Sequence, residues 1–275
     1  MPPGHVTPAA ACLLAVALAA GCAAKTAPPP PATPVLLAAV AWNLHEGRGD
    51  LPRLLDDLAS GRLTGMPVGD YVVLLQEAVV GSVRLQPDVE AVASGRHLHV
   101  FHVPVFSGDG RARGTAILST LPLDETRAID LPRERQHLVT AAATITVAGQ
   151  RLFVVSVHLE NRLAILRGGP FGDRARGRQA AALVSALPPA APGIVGGDMN
   201  TMLGAAEPAW RVFSERFPDT PADRPRPTFR DRLVLDHLFF DLPDGWAVTR
   251  RVVAERYGSD HHPVIGIVTG RRTSP

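Results

Sequence analysis

Short apolar runs, separated by glycine, proline and polar turns, fill the chain from Val35 to Gly270. Runs of this kind that are rich in Val, Ile and Leu, or that alternate apolar with polar residues, favour β-strands. They predict a hairpin over 138–161 and strands within residues 35–47, 71–79, 97–106, 114–120, 193–200, 233–240, 246–254 and 262–270. Helical spacing predicts helices at 51–60 and 174–187. Because no internal repeat and no second linker interrupts the series, we expect one domain, residues 35–270.

The N-terminal residues have a different character. The apolar run Ala9–Ala20 is too short to span a bilayer as a helix, and Ala19-Ala20-Gly21-Cys22 closes it. This is the shape of a secretory signal. It resembles a bacterial lipoprotein signal, in which Cys22 becomes the lipidated first residue. We expect a signal peptide at 1–21, a Pro/Ala-rich linker at 22–34, and export to the cell envelope, in the periplasm or at the surface, with a lipid anchor in the membrane. A plain cleaved signal stays open as the alternative, because the first eight residues hold no Lys or Arg.

Composition narrows the chemistry. The formal net charge is +2 and Lys25 is the only lysine in the sequence, so charge gives little information about partners. The chain has two cysteines, and Cys12 would be removed with the signal. A disulfide and a cysteine metal site are therefore excluded in the mature chain. We also expect a monomer.

Polar residues of one kind follow the predicted strands. They lie at the end of an apolar run or in the turn after it, and they are Asn43, Glu77, His158, Asp198, Asn200 and Asp260, with Asp236 inside its run. Burying so many such groups is costly unless each has a partner or a cation. They indicate a shared polar site at one edge of a sheet pair. Their oxygens suit a hard cation, Mg²⁺ or Mn²⁺. Taken alone, the residues indicate a metal-assisted hydrolase of an anionic ester.

Seven ordered segments resemble the endonuclease/exonuclease/phosphatase superfamily, which has the deoxyribonuclease I-like fold. They are WNLHEG, LLQE, GTAILS, VSVHLEN, GGDMN, LDHLFF and GSDHHPV, spread over most of residues 40–268. The resemblance implies a four-layer α/β sandwich, with two mixed sheets face to face and helices outside. It also implies a Mg²⁺- or Mn²⁺-dependent hydrolase of phosphate esters, because the family holds nucleases, sphingomyelinases and inositol-phosphate phosphatases.

The resemblance also assigns roles to single residues. Asn43 and Glu77 would hold the metal, with Asp260 as a further contributor. Asp198 would orient or deprotonate the attacking water, and Asn200 would lie beside it on the phosphate. The remaining roles concern the histidines: His158 would contact the phosphate and help the leaving group, and Asp236 would hold His261 against the scissile phosphate.

Several alternatives stay open. The favoured reaction is that of a phosphodiesterase, of the nuclease or phospholipid/sphingomyelin type. A phosphomonoesterase acting on inositol or sugar phosphates is the alternative, and a non-catalytic surface-binding lipoprotein is the alternative of another class. Two arginine-rich segments, 107–114 and 167–178, would face substrate or form ordinary solvated surface. A serine hydrolase and a P-loop NTPase are disfavoured, because the sequence has neither G-x-S-x-G nor G-K-[ST].

Overall fold

Two β-sheets face each other in the computed structural model of the chain, which describes residues 1, 34–81, 88–106, 112–161, 172–222 and 226–271. The chain divides into two units, Met1–Ala32 and Thr33–Pro275. Apart from Met1 and Pro34, the expected signal peptide and linker lie outside the described residues, and so does Cys22.

Eleven strands and four helices make up the described part of the larger unit. The strands are β1 (Val35–Asn43), β2 (Tyr71–Val79), β3 (His99–Phe106), β4 (Ala112–Ser119), β5 (Asp124–Asp130), β6 (Val139–Val147), β7 (Gln150–His158), β8 (Gly193–Asp198), β9 (Asp236–Asp241), β10 (Ala247–Val252) and β11 (Val264–Thr269). The helices are α1 (Leu51–Ala59), α2 (Val89–Gly95), α3 (Asp173–Ala186) and α4 (Pro208–Arg216).

The strand order is β10-β11-β1-β2-β4-β3 in one sheet and β5-β6-β7-β8-β9 in the other. Two pairs are parallel, β1 with β2 and β7 with β8, and the other described pairs are antiparallel. A parallel pair needs a crossover connection, which α1 and α3 supply. Each sheet therefore contains one β-α-β unit flanked by antiparallel strands.

The side chains of β1 show how the layers are built. Leu37, Ala39 and Ala41 join the apolar cluster between the two sheets, whereas Val40 and Trp42 join a second cluster with α1 and α2. This alternation follows from the two-residue period of a strand. A third cluster lies between the five-stranded sheet and the helices α3 and α4. The layers are thus helices, sheet, sheet and helices, which confirms the predicted four-layer sandwich.

The structure adds three elements that the apolar pattern did not predict: α2, β5 and α4. β5 has the sequence DETRAID and is almost wholly exposed, so it carries no apolar alternation. α2 and α4 are short, with seven and nine residues, so each shows hardly more than two helical turns of periodicity. Within the described residues, no helix is long and apolar enough to cross a membrane.

Three details of the sequence interpretation need correction. Asp236 does not lie inside a strand but begins β9. Residues 262 and 263, predicted as the start of a strand, belong to the turn that precedes β11. The described ends of the two arginine-rich segments belong to β4 and α3, and Arg176 is fully buried against Glu207 instead of facing solvent or substrate.

Candidate active site

Parallel strands bring the polar strand ends together. β1 and β2 run in the same direction, so Asn43 and Glu77 come to one edge of their sheet. β7 and β8 do the same in the other sheet, where His158 and Asp198 are register partners. β9 runs antiparallel to β8 and starts at that edge, which places Asp236 opposite Asp198. The topology therefore gathers residues that are far apart in the chain.

A backbone irregularity within β2 changes the direction of the Glu77 side chain. The pairing of β2 with β4 shifts register between Leu75 and Ala78, and Glu77 has a φ of +52°. A bulge re-aims a side chain, and non-glycine residues with positive φ concentrate at functional sites. Here Oε1 accepts a hydrogen bond from Asn43 Nδ2 at 3.3 Å, and Oε2 accepts one from the backbone N–H of Glu46 at 2.7 Å. The half-buried carboxylate is thus fixed beside Asn43.

Asp198 is the centre of the site. Its Oδ2 accepts a hydrogen bond from Asn43 Nδ2 at 2.9 Å, which connects the two sheets. The same oxygen lies 3.7 Å from His158 Nε2 and 3.8 Å from His261 Nε2. Its Oδ1 accepts from the backbone N–H of Asn200 at 3.0 Å. One carboxylate oxygen is therefore held by backbone, and the other faces an amide and two imidazoles.

His261 and Asp236 form a buried pair. His261 Nδ1 lies 2.8 Å from Asp236 Oδ2, and the Phe229 ring packs on the imidazole with centroids 4.8 Å apart. Burial by itself would lower the pKa of His261, but the carboxylates of Asp236 and Asp198 outweigh it and raise the pKa to about 10. His261 is therefore a cation near neutral pH, with Nδ1 held by Asp236 and Nε2 directed towards Asp198.

Asn200 orients the carboxylate of Asp198 through a hydrogen bond from its backbone N–H. Besides its backbone N–H, it donates its Nδ2 to the carbonyl of Leu159 at 3.1 Å, and its φ is +51°. Directly before Asp198 the chain passes very close to β7: a Cβ on Gly197, whose φ is +150°, would lie 1.9 Å from the Val157 carbonyl oxygen. Only glycine fits there. The structure thus gives Asn200 an orienting contact, and its predicted contact with phosphate stays a prediction.

Asp260 borders the site but is already paired. Its Oδ2 accepts from Arg230 Nη2 at 3.1 Å, while Oδ1 lies 3.4 Å from His45 Nδ1 and 3.9 Å from His261 Nε2. The predicted contribution of Asp260 to a metal would therefore rest on Oδ1 alone. His45 also contacts Arg48 through Nε2, at 2.9 Å, so it forms part of the rim.

The neighbouring histidines lie elsewhere. His262 Nδ1 contacts the Val253 carbonyl at 2.9 Å, and its Nε2 lies 2.8 Å from Asp231 Oδ1, on the side away from the Asp236 pair. His237 is buried behind Asp236, where burial lowers its pKa to about 3 and its Nε2 contacts Thr201. The side chains of His261 and His262 therefore face opposite ways.

Three residues that hold the site residues in place were not predicted from the sequence. Ser259 Oγ donates to the Asn43 carbonyl at 2.7 Å and accepts from the His261 N–H at 3.0 Å, so it connects the two sides of the site. Thr228 Oγ1 accepts from the Asp236 N–H at 3.0 Å. Trp42 Nε1 donates to the His261 carbonyl at 3.2 Å. Ser259 stands inside the GSDHHPV segment, but nothing in the sequence marks Thr228.

The site carries an excess of negative charge. Four carboxylates converge near one protonated histidine and one arginine, and these carboxylates belong to Glu77, Asp198, Asp236 and Asp260. Asp198, Asp236 and His261 also present ligand atoms within 4.8 Å of one another. Oxygen-rich sites with surplus negative charge suit a divalent cation. Glu77 and His158 further line a cavity of about 490 Å³ that opens beside the site.

Two mixed sheets thus stack face to face and carry amide, carboxylate and imidazole groups at one edge. Residues 40–261 match the model of the Endonuclease/Exonuclease/phosphatase family, and the chain belongs to that family. This confirms the resemblance found in the sequence. Members of the family hydrolyse phosphate esters and typically use divalent metals.

Solved structures share the fold. The catalytic domain of human nocturnin, with bound sulfate, has a TM-score of 0.63 and 17% identity, over 86% of this chain and 94% of that one. An endonuclease/exonuclease/phosphatase from Beutenbergia cavernae DSM 12333 has a TM-score of 0.62 and 16% identity, over 86% and 72%. Sphingomyelinase C from Streptomyces griseocarneus has a TM-score of 0.58 and 21% identity, over 86% and 99%. No curated protein sequence matches the chain significantly.

Proposed function

We propose that the protein is a phosphodiesterase that uses Mg²⁺ or Mn²⁺ and attacks the phosphorus in line with water. The observation that carries the proposal is the surroundings of Asp198 Oδ2, with Asn43 Nδ2 at 2.9 Å and the Nε2 atoms of His158 and His261 at 3.7 and 3.8 Å. A base and two imidazole donors thus surround one small space. A phosphate group needs these same partners, donors for its oxygens and a base for the attacking water.

The Asn43 side of the site fits the metal best. Glu77 presents its carboxylate to the cavity, and Asn43, which directs its Nδ2 to Glu77, would offer a metal its Oδ1, which also accepts from the His45 N–H at 2.9 Å. In the Asp198, Asp236 and His261 group, both imidazole nitrogens already face carboxylates, so the imidazole offers no free lone pair to a cation. We therefore assign Asn43 and Glu77 as ligands, with Oδ1 of Asp260 as a further donor. When bound, the cation supplies positive charge to the phosphate oxygens.

The residues of the chain then have distinct tasks. Asp198 Oδ2 takes a proton from water as the water oxygen bonds to phosphorus. His261, held as a cation by Asp236, and His158 donate hydrogen bonds to the phosphate oxygens as their charge grows. The bond from phosphorus to the leaving oxygen breaks, and that oxygen takes a proton from His158. Asn200 keeps Asp198 oriented through its hydrogen bond to Oδ1.

The size of the cavity favours a diester. At about 490 Å³, it is far larger than a phosphate group, so it leaves room for a substituent beyond the scissile bond. Among proteins with this fold, the sphingomyelinase C of Streptomyces griseocarneus is named for a diester substrate.

A pair of chromogenic esters tests the proposal. With Mg²⁺, we expect kcat/KM for bis(4-nitrophenyl) phosphate to exceed that for 4-nitrophenyl phosphate by about tenfold or more, because two substituents fill the site. Asp198→Asn is the control against contaminating phosphatases, since it removes the base but keeps the shape. A preference for the monoester would make the protein a phosphomonoesterase. If neither ester were hydrolysed, the alternative of a non-catalytic surface-binding lipoprotein would be favoured.

We also propose that the protein is exported and anchored by lipid at Cys22. The support is the apolar run Ala9–Ala20 followed by Ala-Gly-Cys. In bacterial cells fed a clickable fatty-acid analogue, we expect label on the wild-type protein and none on Cys22→Ser. Equal labelling of both would disprove the anchor, and unlabelled but processed protein would indicate a plain signal.

A further inference from the structure

We propose that the cavity beside the active site binds a second phosphate of the substrate. The inference rests on the proposed function and names the substrate class more closely. Glu77 and His158 form part of the wall of this cavity, and three arginines form another part: Arg113, Arg133 and Arg135. We call this cavity the arginine pocket. Because it shares wall residues with the catalytic site, a group bound there belongs to the same molecule as the scissile phosphate.

Two of the arginines stand on the loop between β5 and β6, residues 131–138. Exposure alternates along this loop, so that Arg133, Arg135 and His137 are exposed while the residues between them are half-buried. The Leu131 N–H donates to the Leu138 carbonyl at 3.0 Å and closes the loop. The alternation thus points one basic face of the loop outwards.

A buried carboxylate fixes the loop in place. Glu160, two residues after His158, is 1% exposed, and its Oε2 accepts from the backbone N–H groups of Arg135 and Gln136 at 2.9 and 3.0 Å. Gln179 contributes as well, because its Nε2 donates to the Pro132 carbonyl at 3.2 Å while its Oε1 accepts from the Glu160 N–H. The loop backbone that carries the two arginines is therefore held in place before any substrate binds, which lowers the entropy lost on binding.

The charges of the pocket suit an anion. Arg113 is paired with the Glu46 carboxylate at 2.5 Å, and the backbone N–H of Glu46 donates to Glu77 Oε2, which connects the pocket to the proposed metal site. Arg133 has no carboxylate partner within the part of the chain that the structure describes. Guanidinium groups bind phosphate oxygens in pairs, so two such side chains on a fixed loop form a phosphate subsite.

The same lining argues against a choline headgroup. Recognition of a quaternary ammonium uses the faces of aromatic rings, whereas the pocket is lined by arginines and contains no Phe, Tyr or Trp among its described residues. The substrate class is therefore a phosphodiester with a second phosphate nearby. An oligonucleotide and a multiply phosphorylated small molecule both have this chemistry.

Two esters that differ in one phosphate test the inference. They are the 4-nitrophenyl ester of thymidine 5′-phosphate and the same compound with a 3′-phosphate. With the full chain and Mg²⁺, we expect the second phosphate to lower KM about tenfold, the value for a charge-assisted contact. In Arg133→Gln/Arg135→Gln the ratio of the two KM values should fall towards one. Arg151→Gln, a matched control at the other end of β7, should keep the ratio.

The outcomes separate the two proposals. Equal KM values in the wild type, or an unchanged ratio in the double variant, would overturn the arginine pocket while leaving the phosphodiesterase intact. If neither ester were cleaved, the proposed function would fail. Calorimetry with thymidine 3′,5′-bisphosphate would then test the arginine pocket by itself. If the pocket binds phosphate, the double variant should bind this compound more weakly than Arg151→Gln does, and equal binding would overturn the pocket. Inhibition constants of pTpT and of inositol trisphosphate then distinguish an oligonucleotide substrate from a multiply phosphorylated small molecule, since the better mimic of the substrate should inhibit at the lower concentration.

Discussion

Protein treated with EDTA is expected to lose its hydrolysis of bis(4-nitrophenyl) phosphate, and added Mg²⁺ or Mn²⁺ is expected to restore it. The physical reason is the excess of carboxylates around Asp198 and Glu77, which leaves the phosphate facing negative charge unless a cation is present. Glu77→Gln keeps one oxygen acceptor but loses the charge. A metal ion contributes several kcal/mol to such a reaction, so this variant should lower kcat by about 10³-fold.

A control variant and a folding measurement make this prediction specific. Glu90→Gln alters an exposed carboxylate that pairs with His102 on the far side of β2, and its activity should equal that of the wild type. Thermal unfolding of Glu77→Gln should stay close to wild type, since the left-handed backbone and one of the two hydrogen bonds are retained. Full activity in EDTA would rule out the metal site.

The second large effect is expected at His261. Removing a preorganised donor costs about 10²–10³ in kcat by comparison with oxyanion-hole deletions, so His261→Ala should be almost inactive. Asp236→Asn should be weakened less, because the imidazole stays in place but loses the carboxylate that favours its cationic form. The measurement is kcat for the diester with saturating Mg²⁺.

His262 provides the matched control for His261. Its imidazole connects the Val253 carbonyl and Asp231, so His262→Ala should lower the melting temperature yet retain most of kcat. Circular dichroism of both variants separates lost activity from lost fold. An inactive His262→Ala beside an active His261→Ala would show that the roles of the two histidines are reversed.

Much of the site can be found in the sequence because its residues follow apolar strands. In a parallel pair, strand ends meet at one edge, so a polar residue after each run already indicates a common site. This reasoning placed Asn43, Glu77, His158 and Asp198 together, and the turn before β11 added His261. The hairpin at Ala148–Gly149 and the helix α3 also follow from local pattern; the helix is correct to within a residue at each end, and the second strand of the hairpin ends at His158, three residues before the predicted 161.

Other elements have no local signal. The edge strand β5 is polar and exposed, so its place depends on backbone pairing with β6 rather than on its own side chains. Arg176 belongs to a segment interpreted as facing substrate or solvent, yet it is fully buried, and Glu207 accepts hydrogen bonds from both its Nε and its Nη2. A buried charge pair of this kind becomes visible only when two distant segments are brought together.

The sequence by itself therefore determined the strands, the edge that bears the site and the types of group placed there, since each depends on the spacing of residues along one segment, whereas the four layers followed from the resemblance to the family. Tertiary structure decided which atoms meet. The bulge that turns Glu77 towards Asn43 depends on pairing with β4, and the hydroxyl of Thr228 reaches the Asp236 backbone from a separate loop. The arginine pocket is of the same kind, because Glu160 holds a loop that ends more than twenty residues before it. Such contacts depend on the closure of long loops, and no local pattern of residues encodes them.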